Sequence, residues 1–299
     1  LDLGARVTVL VLDHDPSSEL IRSGRISSCR VVNGRLEEIG DLERALLASE
    51  ADVVFHLAAQ ALVLPALEAP LLTFEANVRG TYNLLETCRR HAKGLSAVVV
   101  ASSDKAYGDA PVLPYTEEMP VAGRHPYDVS KSCADLLARA YAYTFGLPVT
   151  VARCGNVYGG GDLAWSRIVP GTIRSVLRNE RPVLRSDGRF TRDYIHVDDV
   201  VDAYLALASA TGGPAHPGEV FNFAPGAPAS VREIVALLLA ILGREDLEPV
   251  LLDTARAEIR DQALDAGRAR RVLGWTPQTD LRAGLERTVA WYRAFLGAT

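Results

Sequence analysis

The apolar positions of the chain change period several times, and each change predicts an element. The run Ala97-Val98-Val99-Val100-Ala101 has no polar position, which predicts a buried strand. Strands are likewise expected over 7–12, 52–57 and 148–153, the second of them a buried parallel strand. Helices are expected over 41–48, over 127–145 and over 73–88, where Phe74, Val78, Leu84, Leu85 and Cys88 form the apolar positions. Alternating strands and helices argue for an α/β fold. After a helix over 168–179 the pattern becomes α+β, with short strands near Val183 and Val220. Helices follow over 198–209, 230–242, 265–273 and 280–295, each opened by an N-capping residue. Ser230 and Glu233 have the spacing of a capping box, so the apolar stretch 234–242 reads as a buried helix. No polar linker separates an N-terminal domain, 1–156, from a mainly C-terminal lobe, 157–299, with some segments returning to the sheet.

Chemistry concentrates between the strand at 97–101 and the helix that begins near Tyr127. The strand runs into Ser102-Ser103-Asp104-Lys105-Ala106-Tyr107-Gly108, and the helix opens Pro126-Tyr127-Asp128-Val129-Ser130-Lys131. In an open α/β sheet the carboxyl ends of strands face the ligand crevice. Tyr127 and Lys131, four residues apart, share a helix face. An ammonium beside a phenol favours the phenolate, and a hydroxyl from Ser102 or Ser103 completes a set of proton-transfer groups.

Composition narrows the setting. The 299 residues are 48% hydrophobic, enough for a large core in one or two domains, and the net charge of −5 comes without a basic block. A nucleic-acid surface is not indicated. The longest apolar stretch is too short to span a bilayer. Cys29, Cys88, Cys133 and Cys154 lack CxxC spacing and read as free thiols. No segment reads as a signal peptide, so a cytoplasmic setting is expected.

Several motifs together resemble the extended short-chain dehydrogenase/reductase superfamily, in its sugar-nucleotide epimerase and dehydratase branch. They are His56-Leu57-Ala58-Ala59-Gln60, Asn77-Val78-Arg79-Gly80-Thr81, the Ser102 to Gly108 run, Tyr127-Asp128-Val129-Ser130-Lys131, Arg153-Cys154-Gly155-Asn156-Val157-Tyr158-Gly159, Arg192-Asp193-Tyr194-Ile195-His196-Val197-Asp198-Asp199 and Leu273-Gly274-Trp275-Thr276-Pro277. The Ser-Asp-Lys run and Gly159-Gly160-Gly161-Asp162 look most like 4,6-dehydratases of the CDP-glucose or GDP-mannose type. The resemblance implies a Rossmann-like doubly wound parallel sheet with a smaller C-terminal α+β substrate lobe. It implies Ser103, Asp104, Lys105, Tyr127 and Lys131 as catalytic residues. It places Asn156, Arg192 and Arg260 against the substrate, with Arg185 and Arg167 as further candidates and surface ion pairs as the alternative. Arginine suits a diphosphate because its fork bonds two oxygens at once. His196, Asp198 and Asp199 are expected to be structural rather than metal ligands, with Asp198 as an N-cap. A flexible glycine run, 159–161, is expected beside Asn156. His56 and His91 are expected to be structural. Helices 73–88 and 127–145 match a four-helix dimer interface, so a homodimer is expected.

The opening residues bear on the reaction. Leu1-Asp2-Leu3-Gly4-Ala5 reads as a helix tail, and no GxxGxxG occurs, so the sheet is expected to lack its first strand. Asp13 matches a carboxylate that holds the adenosine ribose of NAD, with a turn residue in Asp13-His14-Asp15-Pro16 as the alternative. Arg35 stands where relatives have an adenine-contacting Asp. If the chain is complete, the expectation is a redox-free isomerase or pyranose–furanose mutase acting on a GDP- or CDP-hexose, with Mg²⁺ or Mn²⁺ carried by the diphosphate. If it is trimmed, the expectation is an NAD-dependent 4,6-dehydratase or epimerase. The third alternative is a catalytically degenerate binding subunit.

Overall fold

The computed structural model describes residues 1–213 and 215–297. They form two compact units. One comprises Leu1–Gly108, Val121–Arg153 and Tyr204–Phe221; the other Asp109–Pro120, Cys154–Ala203 and Asn222–Thr299.

In the first unit, strand β1 (Thr8–Val11) pairs in parallel with β2 (Arg30–Asn33). Strands β3 (Val53–His56), β4 (Ala97–Ala101) and β5 (Val149–Cys154) run parallel in a four-stranded sheet, which Val220–Phe223 extends beyond β5. The α/β class is therefore as the sequence suggests. Val98 and Val100 of β4 and Val149 and Val151 of β5 are buried against Leu42 and Leu46 from one helix and Leu84, Leu85 and Cys88 from another.

Strand β3 departs from expectation. It is parallel, but Phe55 is 38% exposed, Leu57 just beyond it is 56% exposed, and only His56 is buried. Among the described residues its one strand neighbour is β4, and that of β1 is β2, so the parallel strands β1 to β5 fall into two sheets rather than one. An apolar run marks sheet membership; it does not guarantee cover on both faces. The expected helix over 73–88 is also interrupted. Pro70–Phe74 passes into a π turn, Glu75–Arg79, before Gly80–His91 resumes α geometry. Residues 2–4 form a turn closed by the Gly4 N–H on Leu1 O, with Gly4 in the left-handed region.

In the second unit, Asn156–Tyr158 pairs in parallel with Tyr194–His196, and Thr191–Arg192 pairs antiparallel with Ala229–Ser230. Helices Ile168–Leu177, Val231–Leu242 and Leu281–Leu296 bury Ile173, Ile234, Leu238 and Leu285 in a common core. The Ser230–Glu233 capping box is present, and Asp280 caps the last helix. Asp265 accepts the Gly267 N–H at 2.6 Å, opening a short helical segment that ends in π geometry over Ala269–Leu273.

Asp198 is not an N-cap: the helix Val197–Ala210 already contains it, and its N–H donates to Nδ1 of His196 at 3.2 Å. The imidazole takes the capping role that sequence spacing gave to the carboxylate. The 159–161 run is not a flexible loop. A Cβ on Gly159 would meet Val197 at 2.5 Å, and one on Gly160 would meet the Trp291 ring at 2.5 Å. These glycines permit close packing.

Asp199 accepts the N–H groups of Gln278 (2.8 Å) and Thr279 (3.2 Å), so its carboxylate anchors the segment after Trp275. Among the described residues no group of three His, Cys, Asp or Glu side chains is arranged to hold a metal ion, and no helix is long and apolar enough to cross a membrane. The four cysteines are free, and burial pushes the Cys88 thiol up to about 12.

Candidate active site

The site is built where β4 ends. Ser102 continues the ladder through its N–H to Ala152 O, while its hydroxyl donates to Oδ2 of Asp135 at 3.1 Å. Ser103 turns the other way. Its backbone is extended, its hydroxyl donates to Oδ1 of Asp104 at 3.0 Å, and the same oxygen accepts the Lys105 N–H at 3.2 Å. Of the two serines, Ser103 thus bonds into the turn that follows and Ser102 to the helix beneath it. The turn itself is a 3₁₀ segment, Asp104–Tyr107, with Asp104 and Tyr107 buried and Lys105 half-buried. It closes at Gly108, whose φ of +71° favours glycine and where any Cβ would strike the Ala122 carbonyl. The carbonyl of Ala106 accepts the Ala122 N–H at 2.9 Å and the Ser132 hydroxyl at 3.0 Å.

Helix Pro126–Phe145 supplies the second half. Proline at its first position suits a helix start, where an N–H has no intrahelical partner. Tyr127 and Lys131 are both buried on this helix. The Lys131 ammonium donates to Ala101 O at 3.0 Å, tying the helix to the end of β4. Ser130 donates to Tyr127 O at 2.7 Å and accepts from Nδ2 of Asn77 at 2.9 Å. Asn77 also exchanges hydrogen bonds with the Gln60 backbone, at 2.7 and 2.9 Å. The loop after β3, the π turn and the start of the tyrosine helix are therefore one hydrogen-bonded assembly. Sequence reasoning noted the Gln60 and Asn77 motifs without seeing that they meet.

His56 is structural. Its Nε2 lies 2.9 Å from the Thr81 hydroxyl, whose proton goes to Asn77 O, so the imidazole donates from Nε2. Burial, and then the Lys131 charge, push its pKa down to about 4. His91 pairs with Glu43 at the surface. Asp128 was overlooked: it is buried beside Tyr127, and burial lifts its carboxyl above the usual range, with the Lys105 charge the main opposing influence.

Asp13 lies exposed, two residues beyond β1, and Arg35 is exposed with its guanidinium 3.5 Å from Glu37. Ala58 is exposed and Ala59 half-buried in the turn after β3, so nothing larger than a methyl group projects from those two positions.

The second unit holds the arginines. Asn156 is half-buried at the start of its strand, with its N–H on Asp193 O at 2.7 Å. Arg192 is 4% exposed, and its guanidinium donates to the carbonyls of Thr191 and Arg260, at 2.7 and 2.8 Å, and of Ile259. Glu258 lies 3.7 Å from Arg192 and 4.0 Å from Arg185. Arg185 also donates to Ser166 O at 3.2 Å, close in the chain to Arg167, which pairs with Asp162 at 3.0 Å. Arg260 is 69% exposed and 3.8 Å from Asp261. Glu258 thus gathers Arg185 and Arg192, and the carbonyls of 259 and 260 join the same group.

The first unit thus carries a hydroxyl, a carboxyl and an amine on the turn after β4, and a phenol and an amine on the helix tied to the end of that strand. Residues 2–224 match the model of the NAD dependent epimerase/dehydratase family. The chain is 32% identical to a CDP-glucose 4,6-dehydratase of Salmonella typhimurium, over 99% of its own length and 86% of the relative's. It is 34% identical to a UDP-glucose 4-epimerase of Mycolicibacterium smegmatis, covering 85% and 80% of the two chains. The crystal structure of a dTDP-glucose 4,6-dehydratase from Streptomyces venezuelae, solved with NAD bound, superposes with a TM-score of 0.87 at 30% identity, covering 98% of this chain and 88% of that one. The chain belongs to the NAD dependent epimerase/dehydratase family.

Proposed function

We propose that the protein is an NAD-dependent enzyme acting on a hexose carried by a nucleoside diphosphate, and that its reaction is 4,6-dehydration. The observation that carries this reading is the buried turn with Asp104 and Lys105 side by side after Ser103. Oxidation and reduction at C4 alone, as in epimerisation, asks only for a proton carrier such as Tyr127. Elimination of water across C5 and C6 asks in addition for a base and an acid, which Lys105 and Asp104 supply.

The residues present fit a nicotinamide dinucleotide. The turn at 58–59 offers a methyl-lined approach, Asp13 offers an exposed carboxylate for ribose hydroxyls, and Tyr127 and Lys131 lie on one buried helix face. Arg35 offers no acceptor in place of a carboxylate. NAD, when bound, would supply the hydride acceptor for C4 and, once reduced, the hydride donor for C6. Tyr127 takes the C4 hydroxyl proton and passes it on to solvent, because C4 ends as a ketone and does not take it back. Ser103 holds the C4 oxygen, and Lys131 stabilises the phenolate. Lys105 removes the C5 proton once C4 is a ketone and gives a proton back to C5 when C6 is reduced, and Asp104 protonates the departing C6 oxygen. Arg192 and Arg260, with Arg185, Arg167 and Asn156, are proposed to hold the diphosphate and sugar.

The relatives named above are dehydratases and an epimerase. They lend no support to a redox-free isomerase or mutase, or to a divalent metal on the diphosphate, and neither is carried further. A degenerate subunit accords poorly with an intact set of five catalytic residues. A homodimer remains proposed: Tyr82, Leu136, Tyr143 and Phe145 leave apolar surface on the two long helices of the first unit. Light scattering at micromolar concentration checks it, and a monomer removes it.

The functional test incubates CDP-, dTDP-, UDP- and GDP-hexoses with the protein, with and without NAD. Dehydration gives a product lighter by one water. Unchanged mass with inversion at C4 moves the assignment to epimerisation. A ring-contracted product formed without NAD reinstates the mutase.

A further inference from the structure

Beneath the catalytic turn lies an ion pair that touches no solvent. Arg153 and Asp135 have side chains 1% and 0% exposed, joined by two bonds: Nε to Oδ2 at 2.7 Å and Nη2 to Oδ1 at 2.8 Å. Such a pair is an uncertain source of stability. Desolvation consumes most of its attraction, and apolar residues of similar volume serve stability as well or better. What apolar residues lack is direction.

The direction here is specific. The bidentate fork fixes the carboxylate plane. Oδ2 then receives the Ser102 hydroxyl at 3.1 Å, which holds the chain where it leaves β4. The Tyr107 ring centroid sits 4.4 Å from the guanidinium carbon, at the far end of the turn. One rigid unit therefore grips both ends of the segment whose middle is Ser103, Asp104 and Lys105. Asp135 also lies on the helix of Tyr127 and Lys131, four residues beyond the lysine and so on the same face. The turn and the helix are referred to one anchor.

We infer that the Asp135–Arg153 pair is a positioning device, holding the acid–base turn in register with the tyrosine–lysine face while touching no substrate itself. The inference rests on the proton-transfer roles proposed above. It assigns to Asp135 and Arg153 a part in turnover that their distance from solvent would otherwise hide.

The test replaces the pair by Asp135→Leu with Arg153→Met, two apolar residues that leave no buried charge, and runs Arg153→Lys alongside. Turnover of the nucleotide sugar found for the wild type is measured together with amide hydrogen exchange. The expected result is a folded double variant whose kcat falls about 10- to 100-fold with KM changed less than about threefold, because misplacement by an ångström costs on that order. Exchange should quicken about tenfold or more over 103–108 and stay unchanged over 98–100. Arg153→Lys keeps the charge without the fork and should fall between the two. A double variant with wild-type kcat and wild-type exchange over 103–108 overturns the inference. Should the double variant not fold, Arg153→Lys decides on the same two readouts. A wild type inactive on every nucleotide sugar refutes the proposed function instead, and the exchange measurement still judges the pair.

Discussion

Two arginines, one in each unit, are almost equally buried and are treated in opposite ways. Arg153 meets a carboxylate in a two-bond fork, so its charge is cancelled within one contact. Arg192 gives its hydrogen bonds to neutral carbonyls of Thr191, Ile259 and Arg260, and its nearest carboxylate, Glu258, stands 3.7 Å away. Carbonyl oxygens satisfy N–H groups without cancelling charge. The charge of the first arginine is thus met within the core by the Asp135 carboxylate and the Tyr107 ring, whereas that of the second is opposed by the longer Glu258 contact at 3.7 Å. Burial alone does not distinguish the two arginines; the charge of the partner does.

That contrast can be broken or sharpened by measurement, in order of expected effect. Arg153→Ala should cost about 3–5 kcal/mol in denaturant unfolding, because it strands the Asp135 carboxylate in the core; a loss below about 1 kcal/mol would mean that the pair is not buried in solution. His56 tests a third treatment of a buried ionisable group, neutrality without a countercharge. Its folded pKa of about 4 lies below the unfolded value of 6.5, so the unfolded chain binds more protons in between. Stability should therefore be intact above pH 6.5 and fall on acidification towards pH 4, by on the order of 3 kcal/mol in all. His56→Gln should flatten that slope in urea titrations at stepped pH.

Tyr127→Phe removes a proton carrier while leaving the packing. Turnover should drop about 100-fold or more with KM and melting temperature nearly unchanged; an unaffected rate would reduce Tyr127 to a structural residue. Arg192→Ala leaves carbonyls short of donors but no carboxylate in the core, so about 1–3 kcal/mol is expected, with nucleotide-sugar affinity also lost in calorimetry. Arg260→Ala, at an exposed position, should change stability by less than about 0.5 kcal/mol while still weakening binding.

What could be read in advance was local. Ser103, Asp104 and Lys105 follow a strand directly, and Tyr127 and Lys131 share a helix face, so one motif each reveals them. The anchor beneath them was not legible. Asp135 lies 18 residues from Arg153 and 33 from Ser102, and Asn77 lies 53 from Ser130. Separations of that size carry no spacing signal. Gly160 was misread for another reason: glycine serves both freedom and tight packing, and only the Trp291 ring beside it decides which. At Asp198 the capping preference points two residues too late, because the His196 imidazole takes the role.

The π turn at Glu75–Arg79 has a consequence for the phase of everything after it. It holds one residue more than an α turn would, and that residue sets the rotation between two duties of one helical run. Before the turn ends, Asn77 must look towards Gln60 and Ser130; after it, Leu84, Leu85 and Cys88 must look into the core. Deleting a single residue from the turn would leave a regular helix of good intrinsic propensity. It would also rotate the later positions by about 100°, swinging Leu85 and Cys88 out of the core or Asn77 away from Ser130. The irregularity is a phase shifter, and a chain one residue shorter could satisfy the core or the tyrosine helix, but not both.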